Sequence, residues 1–227
     1  MIMQTLPKAV LFDLDGTLVD SVPDLAMAVD AMLQQLGFAA AGEDKVRLWV
    51  GKGAYVLVHR ALADARDAEE YEVVEGEVKA ALALFETAYS RYLNAASVLY
   101  PGVAEFLPWL QARKVPLAIV TNKPIAFVPA LLKSFKIEQY FSVVLGGDSV
   151  ANGKPHPQML LEACRQLGVA ATDSLMIGDS CNDIKAARAA MMPVVGLTYG
   201  YNHGRPIAQD NPDRVADNLL ELVADWS

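Results

Sequence analysis

The chain has 227 residues and carries 27 acidic against 19 basic side chains, a net charge of −8. That excludes a nucleic-acid binder relying on bulk positive charge. With 53% hydrophobic and 20% charged residues, disordered and low-complexity readings fall away, and a chain of this size buries one large core, or one core and a small satellite, without a disulfide or metal staple.

The N-terminal run Met1-Ile2-Met3-Gln4-Thr5-Leu6-Pro7-Lys8 leads into an apolar stretch that is broken at Asp13 and Asp15 before a signal-peptide core is complete. Every later apolar run stops short of the ~18 residues of a membrane span. A cytoplasmic protein with no membrane and no nucleic-acid partner is expected, and its two cysteines, Cys164 and Cys181, are expected to be reduced thiols. The sequence leaves the oligomeric state open.

Ala9-Val10-Leu11-Phe12 predicts a buried strand that delivers an acidic loop at its C-terminal end. From about residue 20 to 95 the period turns helical: Val22, Leu25, Ala26, Val29, Leu33 and Leu36 recur at one-turn spacing, with Ser21 and Asp24 predicting a capping box and Gly37 a stop. Leu57, Val58, Ala61 and Leu62 continue the pattern, and Val74, Val78, Leu82, Phe85, Tyr89 and Tyr92 predict one long amphipathic helix. Nothing in this segment reads as a strand.

After Pro101-Gly102 strands and helices alternate. Residues 115–120, 143–145, 175–177 and 194–196 read as buried strands, separated by helical patterns at Ile125/Val128/Leu132 and at Leu160/Cys164/Leu167, the latter stopped by Gly168. The expected fold class is α/β: a doubly wound parallel-sheet, Rossmann-like core of residues 1–18 and 96–227, into which a small all-helical cap of residues 19–95 is inserted. The linkers fall near 18–21 and 95–101. The inserted segment holds seven bases and thirteen acids, so an anionic substrate entering beneath it needs locally placed cations or a metal.

Ligand crevices in open α/β sheets lie at the C-terminal ends of the strands. Four strand ends carry polar residues here: Asp13-Leu14-Asp15-Gly16-Thr17-Leu18, then Thr121-Asn122-Lys123, then Gly153-Lys154-Pro155, then Gly178-Asp179-Ser180 followed by Asp183. Paired carboxylates joined by a third from another strand end suit a hard divalent cation, Mg²⁺ foremost. Such a cluster repels a phosphate unless a metal and a lysine neutralise it, and Lys154 is the cation offered by a strand-end loop in the right order. Phosphoryl transfer through an aspartate nucleophile is the economical reading.

In order, DLDGTL, Thr121 with Asn122, Lys154 before Pro155, and GDSCND resemble the four motifs of the haloacid dehalogenase-like phosphohydrolases. That resemblance, which spans nearly the whole chain, implies Asp13 as nucleophile and metal ligand, and Asp15 as general acid, then base, and as a metal ligand through its backbone carbonyl. It implies Asp179 as a further ligand of Mg²⁺, Thr121 and the Asn122 amide as holders of the phosphoryl oxygens, Lys154 as the charge that orients Asp13, and Asp183 as the brace of Lys154 or of a metal-bound water.

An acid at Asp15 implies cleavage of a phosphate ester, whose leaving group needs a proton, rather than dehalogenation. An inserted cap implies a small substrate. Trp49-Val50-Gly51-Lys52-Gly53-Ala54, the Arg60-Ala61-Leu62 beyond it, and Gly196-Leu197-Thr198-Tyr199-Gly200-Tyr201-Asn202 are similar to the bacterial branch that hydrolyses 2-phosphoglycolate, a small phosphorylated acid. From charge balance, Lys52 or Arg60 on the cap is expected to meet the substrate carboxylate. The same four motifs also serve phosphatases and phosphomutases of sugar or amino-sugar phosphates, and a binding protein of the same fold is the alternative from another class.

Overall fold

The computed structural model describes residues 5–226; residues 1–4 of the expected first core segment, and Ser227, lie outside the described residues. β1 (Ala9–Phe12) is wholly buried, as an apolar run covered on both faces must be. It leads through a tight loop to β2 (Val19–Asp20) and then to four helices, α1 (Val22–Gln35), α2 (Glu43–Trp49), α3 (Ala54–Ala65) and α4 (Glu75–Tyr92). The chain returns through β3 (Val98–Leu99) to α5 (Val103–Ala112), β4 (Leu117–Val120), α6 (Val128–Ser134), β5 (Val143–Leu145), α7 (Gln158–Leu167), β6 (Ser174–Gly178), α8 (Cys181–Ala189), β7 (Val194–Leu197), β8 (Arg214–Ala216) and α9 (Glu221–Asp225).

Six strands form one parallel sheet in the order β5-β4-β1-β6-β7-β8. The order reverses about β1, whose neighbours are β4 and β6, and a crevice opens at such a switch point. The sheet is packed on one side by Phe106, Leu107, Leu110, Leu131 and Leu132 and on the other by Met159, Leu160, Ala163, Ile184 and Ala187. This is the doubly wound α/β architecture expected, with one strand more: β8, a three-residue edge strand, went unread because Val215 is exposed and Arg214 only partly buried, leaving no apolar run.

The helical segment buries its own cluster, Val22, Val29, Met32, Leu33, Val58, Leu62, Val78 and Phe85 among them, which Phe127 and Tyr201 join from the sheet side. Two differences from the sequence reading occur at its edges. Val19 pairs with Leu99 and Asp20 with Val98 in an antiparallel ribbon, so a strand does enter the segment; two residues are too few to show a period. Ser21 takes the N-cap position of α1 without a side-chain capping bond. Asp24 instead accepts from Asn94 N–H (2.6 Å), Ala96 N–H (2.7 Å), Ser97 N–H (3.2 Å) and the Ser97 hydroxyl. Four donors on the returning chain outcompete one orphan N–H of the helix. The stop at Gly37 and the left-handed Gly168 after α7 (φ +70°) occur as the spacing predicts.

Candidate active site

β1 and β6 run side by side, Phe12 opposite Ile177, and this register sets the carboxylates that follow them together. Asp13 continues the ladder by donating its N–H to Ile177 O (3.0 Å). Its Oδ1 receives the Leu14 N–H at 2.7 Å and pairs with Lys154 Nζ at 2.9 Å. Lys154 Nζ also lies 2.6 Å from Oδ1 of Asp183, whose Oδ2 accepts from Ser180 N–H and Oγ. Asp179 accepts from Thr17 Oγ1 (2.9 Å) and from Tyr201 N–H (2.8 Å). Two glycines make room for it: a Cβ at Gly16 or at Gly200 would collide with the Asp179 side chain.

Oxygens of Asp13, Asp179 and Asp183 all lie within 4.8 Å of one another, and all three residues are buried. One ammonium, Lys154, faces them. Burial, reinforced by the charge of Asp183, pushes the Asp13 carboxyl up to about 7 although Lys154 pulls it down. Burial and the charges of Asp13 and Asp183 likewise drive Asp179 well above the usual carboxylate range. For Lys154 burial opposes the charged form, but Asp13 and Asp183 outweigh it and hold the ammonium charged. An oxygen-only donor set with excess negative charge fits a hard divalent cation.

Thr121 follows β4, 2% exposed, with its N–H on Leu145 O at 3.1 Å. It shares a cavity of about 40 Å³ with Asp13 and Asp15, whose wall also includes Asn122, Lys123, Tyr89, Gly51 and Gly53. The Asn122 side chain donates to Gly51 O (3.0 Å) and Lys154 O (2.9 Å), tying the loop after α2 to two strand-end loops. The Asp15 carboxylate is held by two groups: its Oδ1 accepts from Ser21 Oγ (2.5 Å), and Lys123 Nζ holds both its oxygens at 3.0 and 3.2 Å.

The two cap cations are placed differently. Arg60 donates to Trp49 O (3.0 Å) and lies 3.5 Å from Glu70, outside the Asp13 cavity. Lys52 lines an adjoining cleft with Asn122 and Lys154.

Sequence reasoning missed Lys123, which is 5% exposed and is a second strand-end cation beside Lys154. Its signal is its position directly after Thr121-Asn122, a loop the sequence reading uses only for the Thr121 hydroxyl and the Asn122 amide. It also missed Tyr201, whose N–H binds Asp179 while its hydroxyl accepts from Ser21 N–H (2.9 Å) and donates to Asp20 Oδ1 (2.8 Å). The distinctive Gly200-Tyr201-Asn202 stretch was its signal.

The family model for haloacid dehalogenase-like hydrolases matches residues 7–190. The chain is 50% identical over 218 residues to Phosphoglycolate phosphatase 1 of Pseudomonas aeruginosa, covering 96% of this chain and 79% of that protein. To the phosphoglycolate phosphatase of Shigella boydii it is 45% identical over 229 residues, covering 95% and 91%. A crystal structure of a predicted phosphoglycolate phosphatase from Haemophilus somnus matches with a TM-score of 0.90 at 41% identity, over 99% of each chain. CbbY from Rhodobacter sphaeroides, in complex with phosphate, shares the fold with a TM-score of 0.79 at 24% identity, over 97% of this chain and 99% of that one. With carboxylates, threonine and lysine gathered at the ends of β1, β4 and β6 and the loop after β5, the chain belongs to the haloacid dehalogenase-like hydrolases.

Proposed function

We propose that this enzyme, a phosphoric monoester hydrolase, cleaves 2-phosphoglycolate to glycolate and phosphate through an aspartyl-phosphate on Asp13. The observation that carries the reading is the Asp13–Lys154 ion pair in a buried carboxylate cluster, with Asp13, Asp15 and Thr121 in the wall of one cavity. Relatives of about half identity named phosphoglycolate phosphatase support the substrate.

An Asp13 oxygen attacks phosphorus; the P–Oδ bond forms as the bond from phosphorus to the glycolate oxygen breaks. Asp15, once turned from Lys123, gives its proton to that leaving oxygen. It then takes a proton from the water that attacks the aspartyl-phosphate, releasing phosphate and restoring Asp13. Thr121 and the Asn122 amide hold the phosphoryl oxygens, and Lys154, braced by Asp183, fixes the Asp13 carboxylate and offsets developing charge. Asp13, Asp179 and the Asp15 carbonyl would hold Mg²⁺, which when bound supplies positive charge against the phosphoryl oxygens. Residues 19–95 act as the cap that excludes water, with Gly51 and Gly53 in the cavity wall. Of the two cap cations, Lys52 is the one at the site's mouth.

The test is phosphate release from 2-phosphoglycolate, glucose 6-phosphate, β-glucose 1-phosphate and a nucleotide, each with Mg²⁺ and with EDTA, for the wild type and Asp13→Asn. Preference for 2-phosphoglycolate, lost with EDTA and in Asp13→Asn, is expected. Preference for a sugar phosphate overturns the substrate, and turnover by folded Asp13→Asn overturns the covalent mechanism.

A further inference from the structure

We infer that Lys123 and Tyr89 form the receptor for the substrate's carboxylate and select a phosphorylated acid over a neutral phosphate ester of the same length. The inference rests on the 2-phosphoglycolate reading above and assigns two residues that reading leaves without a role.

Among the described residues, Lys123 is the one basic side chain in the wall of the Asp13 cavity. Of the other cations nearby, Lys154 pairs with Asp13 and Asp183, Arg60 with Trp49 O and Glu70, and Lys52 lines the adjoining cleft rather than this wall. Tyr89 stands in the same wall, 1% exposed, with its ring centroid 4.6 Å from Lys123 Nζ. Its buried hydroxyl has no partner in full hydrogen-bonding geometry among the described residues, and the charge that acts on it most strongly is the Lys123 ammonium beside it. A buried ammonium whose anion leaves is costly, and a neighbouring hydroxyl free to donate adds to the hold on a replacement anion. An anion that takes the place of Asp15 beside Lys123 meets both groups.

Geometry fixes which anion. Lys123 holds both oxygens of Asp15, so when Asp15 turns to the leaving oxygen the ammonium loses that partner. In 2-phosphoglycolate the carboxylate carbon is two bonds from the leaving oxygen. A substrate whose leaving oxygen meets Asp15 therefore presents its carboxylate where Asp15 stood, in front of Lys123 and Tyr89. The phosphoryl end has its own partners, Thr121 in the cavity wall and Lys154 paired with Asp13.

The experiment compares steady-state kinetics on 2-phosphoglycolate and 2-hydroxyethyl phosphate, which keeps the length and lacks the carboxylate, for the wild type, Tyr89→Phe and Lys123→Met. In Tyr89→Phe, which keeps the packed ring, KM for 2-phosphoglycolate rises about tenfold, the worth of one hydrogen bond to a charged group, and kcat/KM falls far less on 2-hydroxyethyl phosphate. Lys123→Met abolishes most of the wild-type preference. Equal losses on both esters in Tyr89→Phe overturn the receptor even if Lys123→Met fails to fold. A wild type that shows no preference between the two esters overturns the substrate reading, and the receptor with it.

Discussion

The Lys154 ammonium lies 2.6 Å from Oδ1 of Asp183, with their side chains 1% and 0% exposed. Breaking a buried pair by removing one partner ordinarily costs about 3–5 kcal/mol. Here the two removals are not equivalent, because Asp13 and Asp179 add negative charge to the same site. Lys154→Met strips the cluster of its one ammonium and is expected to cost the full amount in EDTA, while Asp183→Asn relieves repulsion and costs less. Urea unfolding of both variants in EDTA decides it; a larger loss in Asp183→Asn contradicts the charge argument.

Metal-free enzyme is expected to lose stability as pH rises from about 4 to 7. The folded-state Asp13 carboxyl is raised from 3.8 to about 7, so between those values the folded chain binds a proton that the unfolded chain has released, and stability falls as pH rises. Asp179, raised as well, acts in the same direction. Melting curves at pH 5 and pH 7.5 in EDTA should give the higher Tm at pH 5, and millimolar Mg²⁺ should shrink or reverse the difference, since a ligand of the folded state stabilises it. A Tm that climbs with pH in EDTA runs against the assignment.

Gly200→Ala should weaken metal binding although Gly200 has no side chain to offer a metal. The added Cβ collides with Asp179, and displacing a ligand through its support costs about 10–100-fold in metal affinity. The Mg²⁺ concentration for half-maximal activity should rise by that factor while activity recovers at saturating metal. An unchanged Mg²⁺ requirement would mean that Asp179 is not a ligand.

Asp24→Ala should cost roughly 3 kcal/mol, because it removes the acceptor for Asn94, Ala96 and Ser97 N–H groups and for the Ser97 hydroxyl. Limited proteolysis should then cut between residues 93 and 98, where the wild type resists. Wild-type resistance in the variant would show that the clamp contributes little.

Much of this molecule was legible from the chain. Asp13, Asp179 and Lys154 are close because parallel strands with apolar runs end on one side of the sheet, and the apolar runs at 9–12, 143–145 and 175–177 announce those strands. What escaped were features that exist only through tertiary partners. Val19-Asp20 and Val98-Leu99 are strands solely because they meet. The spacing of Ser21 and Asp24 signals a capping box, yet Asp24 serves a segment some seventy residues away. Tyr89 fits the apolar period of α4, so periodicity hides its place in the wall of the Asp13 cavity.

The β2–β3 ribbon has an architectural consequence. Both crossings between the sheet and the helical segment run as neighbouring antiparallel strands, Val19 opposite Leu99 and Asp20 opposite Val98, so the inserted segment leaves and rejoins the sheet at one point. An insertion with adjacent ends can be exchanged whole without rerouting the strands that carry Asp13, Thr121 and Asp179. A helical segment grafted from a relative at residues 19–99 would thus meet the same Asp13, Thr121, Lys123 and Asp179 beneath a different roof.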